Sequence, residues 1–248
     1  MSSSTVLTFG GFGANIDEII LRPIPTNLDE KSDNSPFIVY NAGQSRDVTL
    51  LRTLTANIWC PLCLPFDVTQ AQMEAATGTS CELRTLTSVS EGVFNFDVTT
   101  SIAAGTPFLV KTAAQVVNPL FTGVTVVSTP AATAAASTAD YQFVGTYSPV
   151  TLATDGSNLF LGIDGKLYRP EAYEGHDRMS GLRAYFVVPA TKLSSRVAIS
   201  VGGETAGVNG SRRYKAAPER LYDLQGRPVK GRMTKGLYVQ EGQKVLRP

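Results

Sequence analysis

The chain contains a single histidine, His176, so few catalytic mechanisms that depend on an imidazole group are available to this protein. Nucleophilic catalysis by serine or cysteine usually needs an imidazole base held by an orienting partner. His176 lies in YEGHDRMSG, a charged and glycine-containing segment, which is more typical of a solvated loop than of a catalytic pocket. We therefore expect no catalytic residues and predict that the protein is not an enzyme.

Cysteine is also scarce, with three residues in 248. Cys60 and Cys63 form CPLC, which has the spacing of redox and zinc motifs, but no second pair and only one histidine accompany it. Its apolar flanks are typical of a strand, whereas redox thiols are usually activated at a helix N-terminus. We predict buried structural cysteines, with a disulfide between Cys81 and one of the other two as the alternative. We expect no metal or other cofactor.

Charged residues make up only 17% of the chain, and the formal net charge is +1. No overall field therefore favours nucleic acid. No stretch approaches the roughly 18 uninterrupted apolar residues of a membrane span. The start, MSSSTVLTFGGFG, lacks the basic and apolar regions of a secretory signal. This leaves two interpretations: a cytoplasmic protein, or an exported one whose signal is trimmed or lies upstream.

The charge is unevenly distributed, since residues 211–248 carry ten Lys and Arg against three Asp and Glu. The remaining residues carry twelve against eighteen. The basic residues are scattered through turns rather than interleaved with aromatics on one surface, so they do not predict nucleic-acid binding. We expect a solvated tail, or one attracted to the acidic body or to anionic groups of a cell envelope.

Short segments rich in β-branched and aromatic residues recur between Gly, Pro, Asn and Asp, which predicts strands. They are residues 4–9, 16–23, 36–41, 47–54, 92–98, 106–112, 123–128, 141–147, 158–163, 166–169, 183–189 and 196–201. In GVFNFDV, Phe94, Phe96 and Val98 alternate with polar residues, which predicts a strand with one buried face. We also assign Trp59, which lies in an apolar stretch, to the core.

One segment has a helical pattern. Thr69 and Gln72 have capping-box spacing, and QAQMEAAT (70–77) consists of good helix formers. TPAATAAASTAD (129–140) is low in complexity, and we predict a mobile loop there. The fold class is therefore all-β, and we predict a β-sandwich of Greek-key or jelly-roll type.

The composition predicts four segments. Residues 1–46 form N-terminal strands, 47–201 a β-sandwich, 202–218 an extended linker and 219–248 a small β-unit. In the last segment, glycines at 226 and 242 suit tight hairpin turns. About 30 residues are too few to bury a core alone, so we expect this unit to rest on the body or on a partner.

Several segments occur together in an order that resembles exported surface proteins of the Bacteroidetes. They are RTLTANIWCPLCLPFDVT (52–69), ELRTLTS (82–88), IAAGTPFLVK (102–111), FVGTYSPV (143–150), NLFLGIDGKLYRP (158–170), LRAYFVVP (182–189) and RVAISVGGETAGV (196–208). The tail LYDLQGRPVKGRMTKGLYVQEGQKVL (221–246) is similar to a C-terminal β-module of proteins exported by type IX secretion. Cys60 departs from the pattern, because the family more often has a polar residue there.

The resemblance implies a secreted or outer-surface location and a tail that serves in sorting or attachment. The tail positions that match are Tyr222, Asp223, Gly226, Arg227, Lys235, Gly236, Tyr238, Gly242, Lys244 and Val245. FGGFGANIDEIILRP near the N-terminus is also similar to the last strand of jelly-roll carbohydrate-binding modules, so residues 1–46 resemble the end of a preceding module.

Candidate chemistry in the body is sparse. Paired carboxylates for glycoside hydrolysis can be sought among Asp155, Asp164, Glu171 and Glu174, but each lies in a turn context. Residues 155–165 have oxygen-bearing side chains without the spacing of a recognised calcium loop. Tyr147, Tyr168 and Tyr173 lie near loops, where they predict either a sugar-stacking platform or packing at the core rim.

We expect a non-catalytic secreted or cell-surface module for adhesion, binding a glycan or a host surface protein, whose tail contacts the export machinery. Two alternatives remain open. One is an accessory or catalytic domain of a polysaccharide-processing enzyme, and the other is a purely structural spacer.

Overall fold

The computed structural model describes residues 27–135, 141–170, 177–192, 197–207, 236–240 and 243–247. These residues form many short strands and two short α-helices, which confirms the all-β prediction. The helices are α1 (Ser35–Asn41) and α2 (Gln70–Thr77). The first strands are β1 (Asn27–Asp29), β2 (Ser45–Leu51), β3 (Thr53–Leu54), β4 (Cys60–Leu62), β5 (Val68–Thr69), β6 (Cys81–Ser90), β7 (Val93–Thr99), β8 (Ser101–Ile102), β9 (Phe108–Thr112), β10 (Val116–Val117) and β11 (Leu120–Thr125).

The remaining strands are also short and are separated by turns and loops. They are β12 (Thr133–Ala135), β13 (Gln142–Thr146), β14 (Val150–Thr151), β15 (Asn158–Leu161), β16 (Leu167–Tyr168), β17 (Arg178–Met179), β18 (Arg183–Val187), β19 (Ala198–Val201), β20 (Glu204–Gly207), β21 (Gly236–Gln240) and β22 (Gln243–Arg247). A single 3₁₀ turn among the described residues spans Ala190–Lys192.

Two sheets pack face to face through an aromatic core. One has six strands in the order β20-β19-β7-β6-β9-β4, and the other has five in the order β12-β13-β18-β15-β16. Phe94 and Phe96 of the first sheet meet Phe186 of the second at ring-centroid distances of 4.9 and 6.1 Å. Phe96 also meets Phe143 edge to face at 5.2 Å, a favoured aromatic geometry.

A second core lies against the other face of the six-stranded sheet. There a three-stranded sheet, β1-β2-β11, and helix α2 cover the region around β9. Phe108 and Val110 of β9 point into this second core, while Leu109 points into the aromatic core. This position between two cores explains why the run FLV is continuously apolar instead of alternating.

Parallel pairs interrupt the antiparallel arrangement at two places. β1 pairs in parallel with β2, and β19 pairs in parallel with β7. Greek-key and jelly-roll sandwiches are antiparallel, and these two pairs depart from that arrangement. The type of sandwich therefore stays a prediction.

Helix α2 confirms the prediction made from its cap. The Thr69 hydroxyl accepts a hydrogen bond from the Gln72 backbone N–H at 3.2 Å, and the Gln72 side chain accepts one from the Thr69 N–H at 2.9 Å. Gly78 ends the helix in the left-handed conformation with φ of 69°, which glycine adopts without steric cost. Met73 anchors the helix to the second core.

Residues 36–41 form helix α1, so their assignment as a strand was wrong. The buried residues Phe37, Ile38 and Asn41 share one face of the helix, while Val39 and Tyr40 are exposed. This spacing has the period of a helix, not the period of two that a strand requires. Pro36 is tolerated because it lies in the first helical turn.

Two core assignments also need correction. Val98 is 64% exposed, because the buried alternation of β7 ends at Phe96 and the strand continues beyond the facing sheet. Trp59 is only partly buried at the edge of the aromatic core. Lys111 Nζ and Arg84 Cζ lie 4.6 and 5.7 Å from its ring centroid, and such cation–π contacts stabilise an aromatic ring at the rim.

Strand pairing crosses two of the predicted segment boundaries. The described part of residues 1–46 joins the sheet of β2, which itself begins at Ser45. Residues 202–207 form a turn and strand β20 on the six-stranded sheet instead of a linker. Residues 133–135 form an edge strand on β13 where we predicted a mobile loop, because their backbone pairs with that strand. The predicted strands 4–9 and 16–23, residues 136–140 and residues 208–218 lie outside the described residues.

Candidate functional site

The outward face of the five-stranded sheet carries a row of aromatic side chains. Along β18 and β15, Phe186 and Leu159 are buried in the aromatic core, so the alternate residues Tyr185 and Phe160 point away from it. Leu159 pairs with Phe186, and continuing this register places Phe160 beside Tyr185. Phe160 in turn pairs with Tyr168 of β16. We call Phe160, Tyr168 and Tyr185 the aromatic row.

The end of the aromatic row is held in a defined conformation. The rings of Phe160 and Tyr168 are stacked, with centroids 5.9 Å apart and an interplanar angle of 26°. The Tyr168 hydroxyl donates to Asp164 Oδ2 at 2.7 Å. A Cβ atom at Gly162 would lie 2.5 Å from Tyr168 Cε2, so the close approach of this ring requires glycine there. The ring is therefore preorganised at little further entropic cost to binding.

A cleft of about 260 Å³ adjoins the aromatic row at Phe160. Its lining residues lie on β15, β17 and β18 or directly follow β14 and β17; they are Leu152, Phe160, Arg178, Met179, Ser180 and Arg183. The Leu152 N–H donates to the Asp177 carbonyl at 2.7 Å, which fixes one wall of the cleft. The lining combines two cations, an aromatic ring and a hydroxyl.

An ionic cluster of Arg52, Glu30 and Arg183 adjoins the cleft, which Arg183 also lines. Arg183 Nη2 donates to Glu30 Oε2 at 2.6 Å, and Arg52 Nε lies 3.7 Å from the same oxygen. Arg52 is 3% exposed and donates through Nη1 to the carbonyls of Pro61 and Leu182 at 2.9 and 2.8 Å. Burial, followed by the charge of Arg183, lowers the pKa of Arg52 to about 9, so its guanidinium remains protonated at pH 7. One carboxylate therefore serves two guanidinium groups.

Tyr147 and Tyr168, two of the three tyrosines predicted as a platform, lie apart in the sheet. Tyr147 follows β13, and three strand spacings of about 4.8 Å each, about 14 Å in all, separate β13 from β16 with Tyr168. Tyr147 packs against the second core, and its hydroxyl donates to the Thr129 carbonyl at 3.0 Å. Burial raises its pKa. Tyr173 lies outside the described residues.

Sequence reasoning missed Phe160, Tyr185 and the two arginines of the cleft. The outward positions of Phe160 and Tyr185 were detectable, because each alternates with a buried neighbour in NLFL and RAYFV. Their adjacency was not detectable, because it depends on the pairing of strands that are distant in sequence. No local pattern connects Arg178 with Phe160.

The turn interpretation fits the carboxylates that the structure describes. Asp155 Oδ1 accepts from the Ser157 N–H and hydroxyl, and these hydrogen bonds lower its pKa. Asp164 Oδ1 accepts from the Lys166 N–H while Oδ2 binds the Tyr168 hydroxyl. Within the described ranges, no group of three or more His, Cys, Asp or Glu residues could hold a metal ion. Glu171, Glu174 and His176 lie outside them.

The three cysteines are free thiols, and the alternative of a disulfide is not seen. Cys63 and Cys81 are buried, as predicted, whereas Cys60 is half-buried. Burial raises the pKa of Cys63 to about 12. Burial, together with the charges of Glu74 and Glu82, raises that of Cys81 to about 11. Both groups therefore stay protonated and unreactive at neutral pH.

Part of the tail is described as a hairpin. β21 and β22 pair in an antiparallel register that places Tyr238 opposite Val245 and Gly236 opposite Arg247. Lys244 lies opposite Val239. This pairing confirms the two predicted strands on either side of residues 241–242. The other predicted tail positions lie outside the described residues; they are Tyr222, Asp223, Gly226, Arg227, Lys235 and Gly242.

No protein-family model, curated protein or solved structure matches this chain. Among the helices of the described residues, none has the length and apolar character needed to cross a bilayer.

Proposed function

We propose that this protein is a non-catalytic glycan-binding module of a secreted or cell-surface protein. The observation that carries the proposal is the aromatic row on the outward face of the five-stranded sheet, beside an open cleft. Sugar rings have apolar C–H faces that stack on aromatic rings, and hydroxyl groups that need polar partners. Phe160, Tyr168 and Tyr185 supply the rings, and the cleft supplies polar donors.

The cleft favours binding over glycoside hydrolysis. Hydrolysis of a glycosidic bond needs two carboxyl groups flanking the bond, about 5–10 Å apart. The residues that line this cleft are arginines, a serine and apolar side chains. Among the described residues, this lining can retain a ligand through charge and packing but includes no carboxyl pair to cleave it.

Replacing Tyr168 with alanine should weaken glycan binding about 10-fold, because a stacked ring is lost. The full chain would first be screened on an array of neutral and acidic oligosaccharides, and the tightest ligand would then be titrated by calorimetry. Tyr168→Phe retains the ring and loses only the hydroxyl bond to Asp164, so it should bind nearly as tightly as the unchanged protein.

Tyr40→Ala provides the matched control. Tyr40 is 54% exposed on helix α1, outside the five-stranded sheet and the cleft lining, and its removal should leave the affinity unchanged. An array without any binding glycan would refute the proposed function. So would a ligand whose affinity is the same for Tyr168→Ala and the unchanged protein.

We further propose that the C-terminal segment directs the protein to the cell exterior. The support is the resemblance of residues 221–246 to a sorting module, together with the β21–β22 hairpin. A hairpin of two strands is only marginally stable alone, which suits a segment that is recognised by another protein.

Deleting residues 219–248 should sharply reduce the amount of protein at the cell surface in the native host, while total expression persists. Surface protein would be quantified by protease shaving and immunoblotting. A variant in which the same residues are replaced by a flexible Gly-Ser segment controls for chain length. Unchanged surface display of the deletion variant would remove the sorting role. A purified deletion variant that retains its cooperative unfolding transition would show that the body remains folded.

A further inference from the structure

The cleft beside the aromatic row carries more positive charge than its own carboxylate can neutralise. Glu30 is the one acidic side chain that forms an ion pair with Arg183 among the described residues, and it also lies 3.7 Å from Arg52. Arg178 is exposed at the mouth of the cleft and forms no ion pair with the residues that the structure describes. The described residues that line the cleft include two arginines and no acidic side chain, and Glu30 pairs with only one of these arginines.

Arg183 keeps hydrogen-bonding capacity despite its ion pair. Its Nη2 donates to Glu30, and about a third of the side chain stays exposed, 33% by relative accessible area. A guanidinium group carries five N–H donors, so its exposed part can bind a further acceptor beside Glu30. The Gly181 N–H donates to the Glu30 carbonyl at 2.7 Å, which holds the backbone next to Arg183 in place. Because Glu30 also binds the guanidinium of Arg183, this group is preorganised.

We propose that the cleft binds the carboxylate of a uronic acid residue in an acidic oligosaccharide. This inference rests on the proposed glycan-binding function and names the ligand class. Arg178 and Arg183 bind the carboxylate, because the planar guanidinium group matches carboxylate geometry and makes charge-assisted hydrogen bonds. Phe160 forms the apolar wall for the same sugar ring, and Ser180 offers a hydroxyl to the ring hydroxyls.

The dimensions agree with a single sugar residue in the cleft. Its volume of about 260 Å³ lies near the lower end of the roughly 300–1,000 Å³ typical of small-ligand pockets. One uronate ring therefore occupies the cleft, and the neighbouring sugars of the chain extend over Tyr168 and Tyr185. Phe160 belongs to both the cleft and the aromatic row, so it connects the anionic subsite with the stacking surface.

The inference is tested by calorimetric titration of the full chain with three uronate oligosaccharides, from pectin, alginate and hyaluronan, and with their carboxyl-reduced forms. Reduction turns the carboxylate into an alcohol without altering the remaining sugar. We expect at least one uronate form to bind about 10-fold or more tightly than its reduced form, as charge-assisted hydrogen bonds imply. The difference should shrink as salt is added.

Arg178→Gln should reduce the affinity for the uronate form to that of the reduced form, and Arg178→Lys should restore part of it. Arg178 is exposed, so neither substitution should disturb folding. Arg46→Gln is the control, since Arg46 lies on β2 of a different sheet and should leave binding unchanged. An Arg183→Gln variant, with its folding checked by urea unfolding, should behave like Arg178→Gln.

The outcomes separate this inference from the function on which it rests. Equal affinity for uronate and reduced forms, or no effect of Arg178→Gln, overturns the uronate assignment. If a neutral glycan from the array still binds in a Tyr168-dependent manner, the glycan-binding function stands without it. Absence of binding to all three uronates in the millimolar range also overturns the inference, and absence of binding to any glycan overturns both.

Discussion

Replacing Arg52 with methionine should destabilise the protein by about 2–4 kcal/mol, although methionine replaces the apolar stem of the arginine. The substitution removes the donor for two buried carbonyl groups, those of Pro61 and Leu182. It also leaves Glu30 with Arg183 as its remaining partner. Burial disfavours the charged guanidinium, and this lowers its pKa. The loss of stability in Arg52→Met therefore reflects the carbonyl groups and the carboxylate left without a partner more than the strength of the ion pair.

Urea unfolding followed by fluorescence measures this effect as a change in midpoint at constant slope. Arg46→Met is the control, because Arg46 lies on the neighbouring strand β2 with its side chain at the surface and should change stability by less than about 0.5 kcal/mol. A loss below about 1 kcal/mol for Arg52→Met would contradict the role of Arg52 as the donor that joins these segments.

Truncating Phe186 to alanine should cost about 3–5 kcal/mol, the largest effect that we expect from a single core substitution. Phe186 is fully buried between the two sheets. Its ring contacts Phe143, Phe94 and Phe96 at centroid distances of 4.8, 4.9 and 6.1 Å. Truncation leaves a cavity beside the three remaining aromatic rings, and neighbours that are fixed by strand pairing cannot collapse into it.

Phe186→Leu keeps the measurement possible if the alanine variant does not fold, and it should lose clearly less stability because the cavity is smaller. Tyr40→Ala, at an exposed aromatic residue, should change stability by less than about 0.5 kcal/mol. A Phe186→Ala protein as stable as Tyr40→Ala would mean that the two sheets do not pack through this ring.

These substitutions also bear on the candidate site. Both residues are connected to the candidate site. Arg52 contacts Glu30, which pairs with Arg183 of the cleft. Phe186 lies on β18, the strand that carries Tyr185 and pairs with the strand of Phe160. Glycan affinity lost in these variants would therefore have to be compared with the fraction folded before it is attributed to contact. Tyr168→Ala and Arg178→Gln act at the surface and avoid this ambiguity.

Strand periodicity and cap chemistry predicted much of the local structure correctly. The β7 segment and helix α2 depend on interactions within about ten residues, which a sequence shows directly. Helix α1 was mistaken for a strand because six apolar-rich residues fit either structure, and its burial in the second core decides between them. Phe96 is buried and Val98 is exposed because the facing sheet covers β7 at Phe96 but not at Val98.

The sequence by itself determined that this is an all-β chain, where many of its strands lie, that helix α2 starts at Thr69, and that its terminal residues form a hairpin. These properties follow from side-chain alternation, capping and turn residues, all of which act between near neighbours. Tertiary structure alone decided that Tyr185, Phe160 and Tyr168 form one row and that Arg178 and Arg183 share a cleft. The physical reason is that a sheet joins residues through strand order and register, and these are selected by burial of the whole core.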